Sequence, residues 1–317
     1  MSKNTMIFGI DISKDLFDVY NTDLGHNQFE NTDKGIRSFI KDLPQNAVCV
    51  MEATGNYHNK LALGLFEQEI GLSVVNPLVI KRYSQMKLRR FKTDKSDAFM
   101  IYCYGCEQEL ELWNPEPEYI AQGKEIISLL QMYSKQSTSL KNKLHALENL
   151  CKKRTKVITS IKRQLRNLTK ESKSLETELL KLIKESESLM FTRIKTIPGI
   201  GDKTAILLML TTNCFKDFES YKQVSSYLGL APNERSSGSS IRGRSRISKT
   251  GDGLVRNHLF MCSFTACIHN AQCKALFDRI VAKGKSKKLA LIAVCNKLIK
   301  QAFAIAKSGL SYDPKYV

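Results

Sequence analysis

Hydrophobic and polar positions in the first hundred residues follow the two periods of an α/β domain. Met6–Ser13 (MIFGIDIS) is a short β-branched run passing through an aspartate near its end. Leu16–Asn21 and a weaker stretch at Gln28–Glu30 supply two further strands, paired as a meander. Ile36–Leu43 has helical spacing. Ala47–Glu52 (AVCVME) reads as a buried strand closing on a glutamate, followed by a helix over about 56–68 and a strand at Leu72–Val75. After Pro77 the chain turns basic (Lys81, Arg82, Lys87, Arg89, Arg90, Lys92, Lys95), and a last helix starts near Asp94 and runs to about Tyr104. A strand group followed by strand–helix alternation predicts a mixed sheet with helices on both faces.

The middle of the chain has another period. From Lys124 to Ile197 there is neither Gly nor Pro. Apolar positions recur at spacings of three and four through Leu140, Leu144, Leu147, Cys151, Ile158, Ile161, Leu165, Leu168, Leu175, Leu179 and Leu182, with Arg154 and Ser172 as weak points. This is an amphipathic stripe of coiled-coil character. One straight helix would be about 110 Å long at ~1.5 Å per residue, so a helical hairpin bent near Lys152–Lys156, or an arm pairing with a second subunit, is expected. An exposed leucine seam needs a partner, which favours dimerisation.

The third part begins near Phe191. Ile194–Leu210 (IKTIPGIGDKTAILLML) has the form of a turn between two helices. Ser236–Gly253 (SSGSSIRGRSRISKTGDG) is too rich in Ser and Gly to be core, so it is either a flexible loop or the carrier of chemistry.

Composition narrows the class of partner. The chain has 317 residues, with 49 Lys+Arg against 31 Asp+Glu and a formal net charge of +18. A small acidic substrate does not require so large a field, whereas a polyphosphate does. At 42% hydrophobic the chain can bury a real core. No apolar run is read as reaching membrane-spanning length, and the apolar core of MSKNTMIFGIDIS is too short for a signal peptide, so a soluble cytoplasmic protein is expected. Nine cysteines, an odd number lying mostly in apolar stretches, argue against a disulfide scaffold. Cys103 and Cys106 form a lone CxxC without the second pair that structural zinc requires.

Four acids stand out chemically. Asp11 and Glu52 lie at the ends of strands, where side chains emerge at the sheet rim. Asp94 and Asp97, three apart at a helix start, project from one face of its first turn. Such hard oxygen ligands suit Mg²⁺, and two ions about 4 Å apart can serve both the attacking and the leaving oxygen of a phosphodiester. The bland alternatives are a helix cap for Asp94 and Asp97 and a strand-ending turn for Asp11, with Asp15 as an equal decoy. Pro198, Gly199, Gly201 and Lys203 belong to a helix–hairpin–helix pattern, in which glycines admit a phosphate to backbone amides at a helix N-terminus; the same pattern also serves as a packing corner. Ser236, Ser237, Ser239, Ser240, Ser245 and Ser248 lie among Arg235, Arg242, Arg244, Arg246 and Lys249. A serine hydroxyl there would need a base or metal to activate it, while the guanidinium groups would neutralise a phosphate under attack. The alternative is a solvated phosphate-binding loop. His58 and His258 have no ligand spacing and read as structural or surface residues.

Several blocks carry a resemblance. Phe8–Val19 (FGIDISKDLFDV), Val48–His58 (VCVMEATGNYH) and Phe91–Ala98 (FKTDKSDA) resemble the signature blocks of insertion-sequence transposases with an Asp-Glu-Asp-Asp active site. Ser225–Leu259, with its Ser-Gly and Arg-Ile-Ser-Lys-x-Gly elements, resembles their C-terminal block. The match is in order and spans nearly the whole chain. Related pilin-gene DNA invertases share all four blocks.

The resemblance implies an α/β plus all-α architecture. An RNase H/RuvC-like domain (1–112) would precede a helical coiled-coil arm (113–190) and a C-terminal helical domain (191–317) with the helix–hairpin–helix and serine loop. Asp11, Glu52, Asp94 and Asp97 would hold Mg²⁺, and Ser237, with Ser236 as its neighbour, would form a covalent link to DNA. It further implies a structured non-coding bridge RNA as guide, dimers assembling to tetramers on DNA, and a bacterial, nucleoid-associated location without a membrane. The expected reaction is DNA strand exchange in transposition. Its rivals are site-specific inversion, a metal-only junction-resolving nuclease, and a non-catalytic nucleic-acid-binding protein.

Overall fold

A computed structural model describes residues 5–88, 94–149, 155–233, 236–237, 241–242 and 246–315. The chain divides into two units, Met1–Glu116 and Pro117–Val317.

In the first unit the elements run β1 (Met6–Ile12), β2 (Leu16–Asn21), β3 (Gly25–Glu30), α1 (Asp33–Lys41), β4 (Ala47–Glu52), α2 (Asn59–Glu67), β5 (Gly71–Val75), α3 (Pro77–Met86) and α4 (Asp94–Glu107). The strands form one sheet in the order β3-β2-β1-β4-β5. The first three pair antiparallel, and β1–β4 and β4–β5 pair parallel. Strand alternation then sorts the side chains. Phe8, Ile10 and Ile12 of β1, Phe17 and Val19 of β2, and Cys49 and Met51 of β4 join α1 and α2 in one apolar layer. Ile7, Val50 and Val75 point to the other face and meet Ile80 of α3 and Ile101 of α4. Helices therefore cover both faces. This mixed sheet is consistent with an RNase H-like domain.

Helix α3 occupies part of the stretch noted in the sequence only for its charge. Asn76 caps it by accepting from the Leu78 amide, Pro77 fits the first turn, and Ile80 and Tyr83 make a narrow buried stripe. Helix α4 lies unusually close to β1. A Cβ added at Gly9 would stand 2.2 Å from the Tyr102 nitrogen and 2.4 Å from the Ala98 oxygen, and one at Gly105 would meet Ile7 and Val50 at 2.8 Å. Glycine at both contacts lets the helix backbone rest on the sheet and fixes where its first turn stands.

The second unit is helical. It contains α5 (Glu118–Glu148), α6 (Thr155–Lys195), α7 (Asp202–Thr211), α8 (Tyr221–Tyr227), four two-residue strands β6 (Pro232–Asn233), β7 (Ser236–Ser237), β8 (Ile241–Arg242) and β9 (Arg246–Ile247), then α9 (Gly253–His269), α10 (Ala271–Ala282) and α11 (Lys287–Ser308). Helices α5 and α6 pack along one another, with an ion pair between Glu148 and Lys162 (3.8 Å) near their connection and Ile126 and Leu179 in the common core. The bend anticipated near Lys152–Lys156 falls largely on residues 150–154, which lie outside the described residues. Along the stripe, Leu147, Ile161 and Leu179 are buried, and Leu140, Leu144, Ile158, Leu165 and Leu168 are half-buried. The seam is thus covered only in part within the chain. Helix α6 kinks at Glu187 (φ −141°, ψ 46°), whose carboxylate accepts from Tyr119 and pairs with Lys216.

Helix α11 is long and apolar enough to cross a membrane, contrary to the reading that no run reaches that length. Half of its most apolar stretch is buried: Val294, Cys295, Leu298, Ile299 and Ala302 belong to the core of the helical unit. A central core helix is apolar around much of its circumference and passes the same test of length and composition.

Candidate functional site

The acids come together through strand register. Asp11 of β1 is paired directly with Asp18 of β2, and cross-strand partners project to the same face. On the other side β1 and β4 run in register to Ile10↔Met51, which brings Glu52 to the level of Asp11. Asp11 follows Ile7 and Gly9 on the α4 face, and Glu52 follows Val48 and Val50 there. Asp94 and Asp97 occupy the first turn of α4, the helix that Gly9 admits to this face. All four expected acids therefore border one end of one sheet face.

Their fields overlap. Asp11 has its carboxyl pushed up to about 6, first by burial and then by the negative charges of Asp97, Glu52, Asp94 and Asp18. Among the described residues, no three His, Cys, Asp or Glu side chains form a group that could hold one metal ion. The acids share a field rather than a finished coordination shell. The donor set nonetheless fits a hard divalent cation: every member is a carboxylate, and a divalent charge would relieve the crowding that raises Asp11.

Asp18 was not singled out in the sequence. It is only 6% exposed, its Oδ1 lies 2.7 Å from His26 Nε2, and it accepts from Gln28 Nε2 at 3.2 Å. Its place beside Asp11 follows from the β1–β2 register, which residue spacing alone does not reveal. Asp15, the decoy, sits in the connection between β1 and β2 and lends its carbonyl to the Asn31 amide.

The Ile197–Gly201 turn joins α6 to α7 and divides its two glycines by role. Gly199 has φ +107°, and a Cβ there would meet the Ala266 backbone of α9 at 3.0 Å, so this glycine makes a packing corner. Gly201 precedes α7 with extended backbone and open space where a Cβ would stand. The exposed charges around it are paired, Lys195 with Asp202 and Lys203 with Glu176, both at 2.6 Å. The Pro198 carbonyl accepts from Asn270 at 3.5 Å, a further tie to the core.

The described residues of the serine segment include short paired strands. β6 pairs antiparallel with β9, and β7 with β8, setting Ser236 opposite Arg242 and Ser237 opposite Ile241. Arg244 lies outside the described residues. Arg246 and Lys249 are exposed, and Lys249 has φ +58°. The root is held by two backbone bonds and one side chain: the Ser248 amide donates to the Ala231 carbonyl, the Lys249 amide to the Gly229 carbonyl, and the Arg256 guanidinium Nη1 to the Leu228 carbonyl. A Cβ on Gly251 would strike the Tyr227 oxygen at 2.2 Å, and one on Gly229 the Thr250 oxygen at 2.4 Å. The glycines of LGL and KTG thus let two chain segments cross in contact.

The remaining candidates stay structural. His258 lines a cleft with Lys203, and its pKa is lowered by burial and then by that lysine. Burial likewise lowers His58, which stands at the start of α2. None of the eight described cysteines, Cys103 and Cys106 among them, forms a disulfide.

A mixed sheet with carboxylates gathered at one rim, in a strongly basic chain, fits the class of enzymes that act on polynucleotides. Comparison with known proteins gives that class its family. Residues 8–151 match a model described as a transposase with the Asp-Glu-Asp-Asp domain of IS110 elements, and residues 191–278 match the transposase IS116/IS110/IS902 family. The pilin gene-inverting protein of Moraxella bovis is 30% identical over 327 residues, covering 97% of each chain, and that of Moraxella lacunata is equally similar. An uncharacterised insertion-element IS110 protein of Streptomyces coelicolor is 29% identical over 122 residues, covering 38% of this chain and 30% of its own. The chain belongs to the IS110 family of transposases, and it is a DNA recombinase.

Proposed function

We propose that this recombinase exchanges DNA strands through a serine-linked intermediate, with Asp11, Glu52, Asp94 and Asp97 holding Mg²⁺. The observation that carries the reading is the convergence of these acids at one sheet rim in a chain that also carries Ser237 in a short strand paired with Ile241. Mg²⁺, when bound, would supply Lewis-acid stabilisation of charge at the scissile phosphate. The Ser237 Oγ attacks the phosphorus, a phosphoserine ester forms, and the phosphorus–oxygen bond to one DNA end breaks. The serine proton passes in effect to the departing DNA oxygen, so the bond count is conserved and a DNA hydroxyl can later reverse the step. Arg242, Arg244 and Arg246 offset the phosphate charge, and Gly201 and Lys203 at the start of α7 hold backbone phosphates without reading bases.

In the same reading a structured non-coding bridge RNA selects the sites, and subunits dimerise and form tetramers on DNA, so that the acids of one subunit serve the serine of another. The three domains would be 1–112, the arm 113–190, and 191–317. Inversion is the second reading, favoured by the end-to-end similarity to the two Moraxella proteins. Recombination of a plasmid carrying the gene's native flanks tests both. Inverted sites that exchange orientation support inversion, and excision or insertion dependent on a transcribed flank supports RNA-guided transposition. Glu52→Gln and Asp97→Asn are expected to abolish either outcome.

A further inference from the structure

Asp18 poses a physical problem. A carboxylate only 6% exposed stands cross-strand from Asp11, whose own charge repels it, and its direct partners are His26 and Gln28 of the outer strand β3. Burying an anion beside other anions is costly unless something compensates it. A neutral Asn at this position would satisfy the same two neighbours without that repulsion, so holding β3 does not require the charge. The orientation is fixed as well. Tyr20, two residues along the same strand, packs edge-on to Phe99 and Tyr102 of α4, which puts Asp18 on the face where the other acids stand. Phe17 and Val19 point the other way into the core.

We infer that Asp18 is a positioning residue for the metal site, an outer carboxylate clamped by His26 and Gln28 that draws a divalent cation to Asp11. This rests on the metal reading above and extends it by one residue. Gln28, Asp18, Asp11 and Glu52 form one lateral row across four strands. Within that row Asp18 adds negative potential behind Asp11, and His26 and Gln28 keep its carboxylate from turning away. Outer-shell partners of this kind change metal affinity without touching substrate.

The test is Mn²⁺ binding to the full-length chain by calorimetry, alongside DNA cleavage measured against Mg²⁺ concentration. Asp18→Asn should weaken Mn²⁺ binding about tenfold and raise the half-saturating Mg²⁺ by the same factor, with kcat at saturating metal nearly unchanged. Asp18→Glu, which keeps the charge, should restore affinity to within a few-fold. Fluorescence of Trp113, the single tryptophan of the chain, confirms folding of the first unit in each variant. Unchanged Mn²⁺ affinity in a folded Asp18→Asn protein would overturn the inference and leave Asp18 a structural clamp. Equal losses in the Asn and Glu variants would also overturn it, since charge would then not be the cause. Wild-type protein that binds no Mn²⁺ would instead overturn the metal reading beneath it.

Discussion

Replacing Asp11 by asparagine should make the metal-free protein more stable at neutral pH. The carboxyl titrates near 3.8 in an unfolded chain and is pushed up to about 6 in the fold, by burial first and by its acidic neighbours second. The folded state therefore binds the proton more tightly. Asp11 contributes its stabilisation below about pH 4, loses it as pH rises through 6, and is a net liability above that. A shift of roughly two units corresponds to about 3 kcal/mol at ~1.4 kcal/mol per unit. Asp11 is only half-buried, so solvent screening reduces this to about 1–2 kcal/mol. Asparagine has the same size and no charge, and removes the liability. Trp113 packs edge-on to Phe66 and donates its backbone amide to Leu72, so its fluorescence follows unfolding of the first unit alone. Urea titrations in EDTA should show the variant and wild type equal at pH 4, with the variant ahead by about 1–2 kcal/mol at pH 7.5. Added Mg²⁺ should then stabilise wild type more than the variant. A gap that is the same at both pH values, or a variant less stable at pH 7.5, would refute the electrostatic reasoning.

Other perturbations probe the scaffold. Gly9→Ala forces a Cβ against the Tyr102 nitrogen and Ala98 oxygen; it should destabilise the first unit by about 3 kcal/mol and reduce cleavage, checked by the same urea titration. Gly201→Ala should keep its melting temperature and weaken DNA binding by a similar factor across unrelated sequences, measured by fluorescence anisotropy. Gly199→Ala should instead lower the melting temperature, because its φ of +107° and its contact with Ala266 both exclude a side chain. For wild type, the logarithm of the DNA affinity should fall steeply and linearly with the logarithm of salt; a flat response would contradict phosphate binding.

Much of the first unit was legible because strand alternation is written in the residues themselves: β2 and β4 have the bounds their apolar pattern indicates. Glu52 stood out because a polar residue closes an otherwise buried run, and Asp11 because it breaks the apolar run of β1. Asp18 did not, since its place beside Asp11 comes from register with β1, a long-range fact absent from the spacing of β2 itself. Helix α3 was hidden by Lys81 and Arg82, whose charges obscured the Ile80–Tyr83 stripe beneath them. The IPGIG motif was readable as a turn, but the division of labour between Gly199 and Gly201 depends on α9, more than sixty residues away. The composition of the serine segment suggested a loop. Its strands are only two residues long, too short for alternation to show, and they are set by pairing across the segment.

A trapped reaction tests most directly whether one chain combines acid-bound metal with a serine nucleophile. Protein, Mg²⁺, end-labelled DNA and the flanking transcript, quenched in denaturant, should give a labelled band of protein covalently joined to DNA. Peptide mapping should place the link on Ser237. Ser237→Ala should lose the band while still binding DNA, and Ser236→Ala should retain it. Cleaved DNA with free ends and no protein attached would contradict the claim and leave a metal-only nuclease.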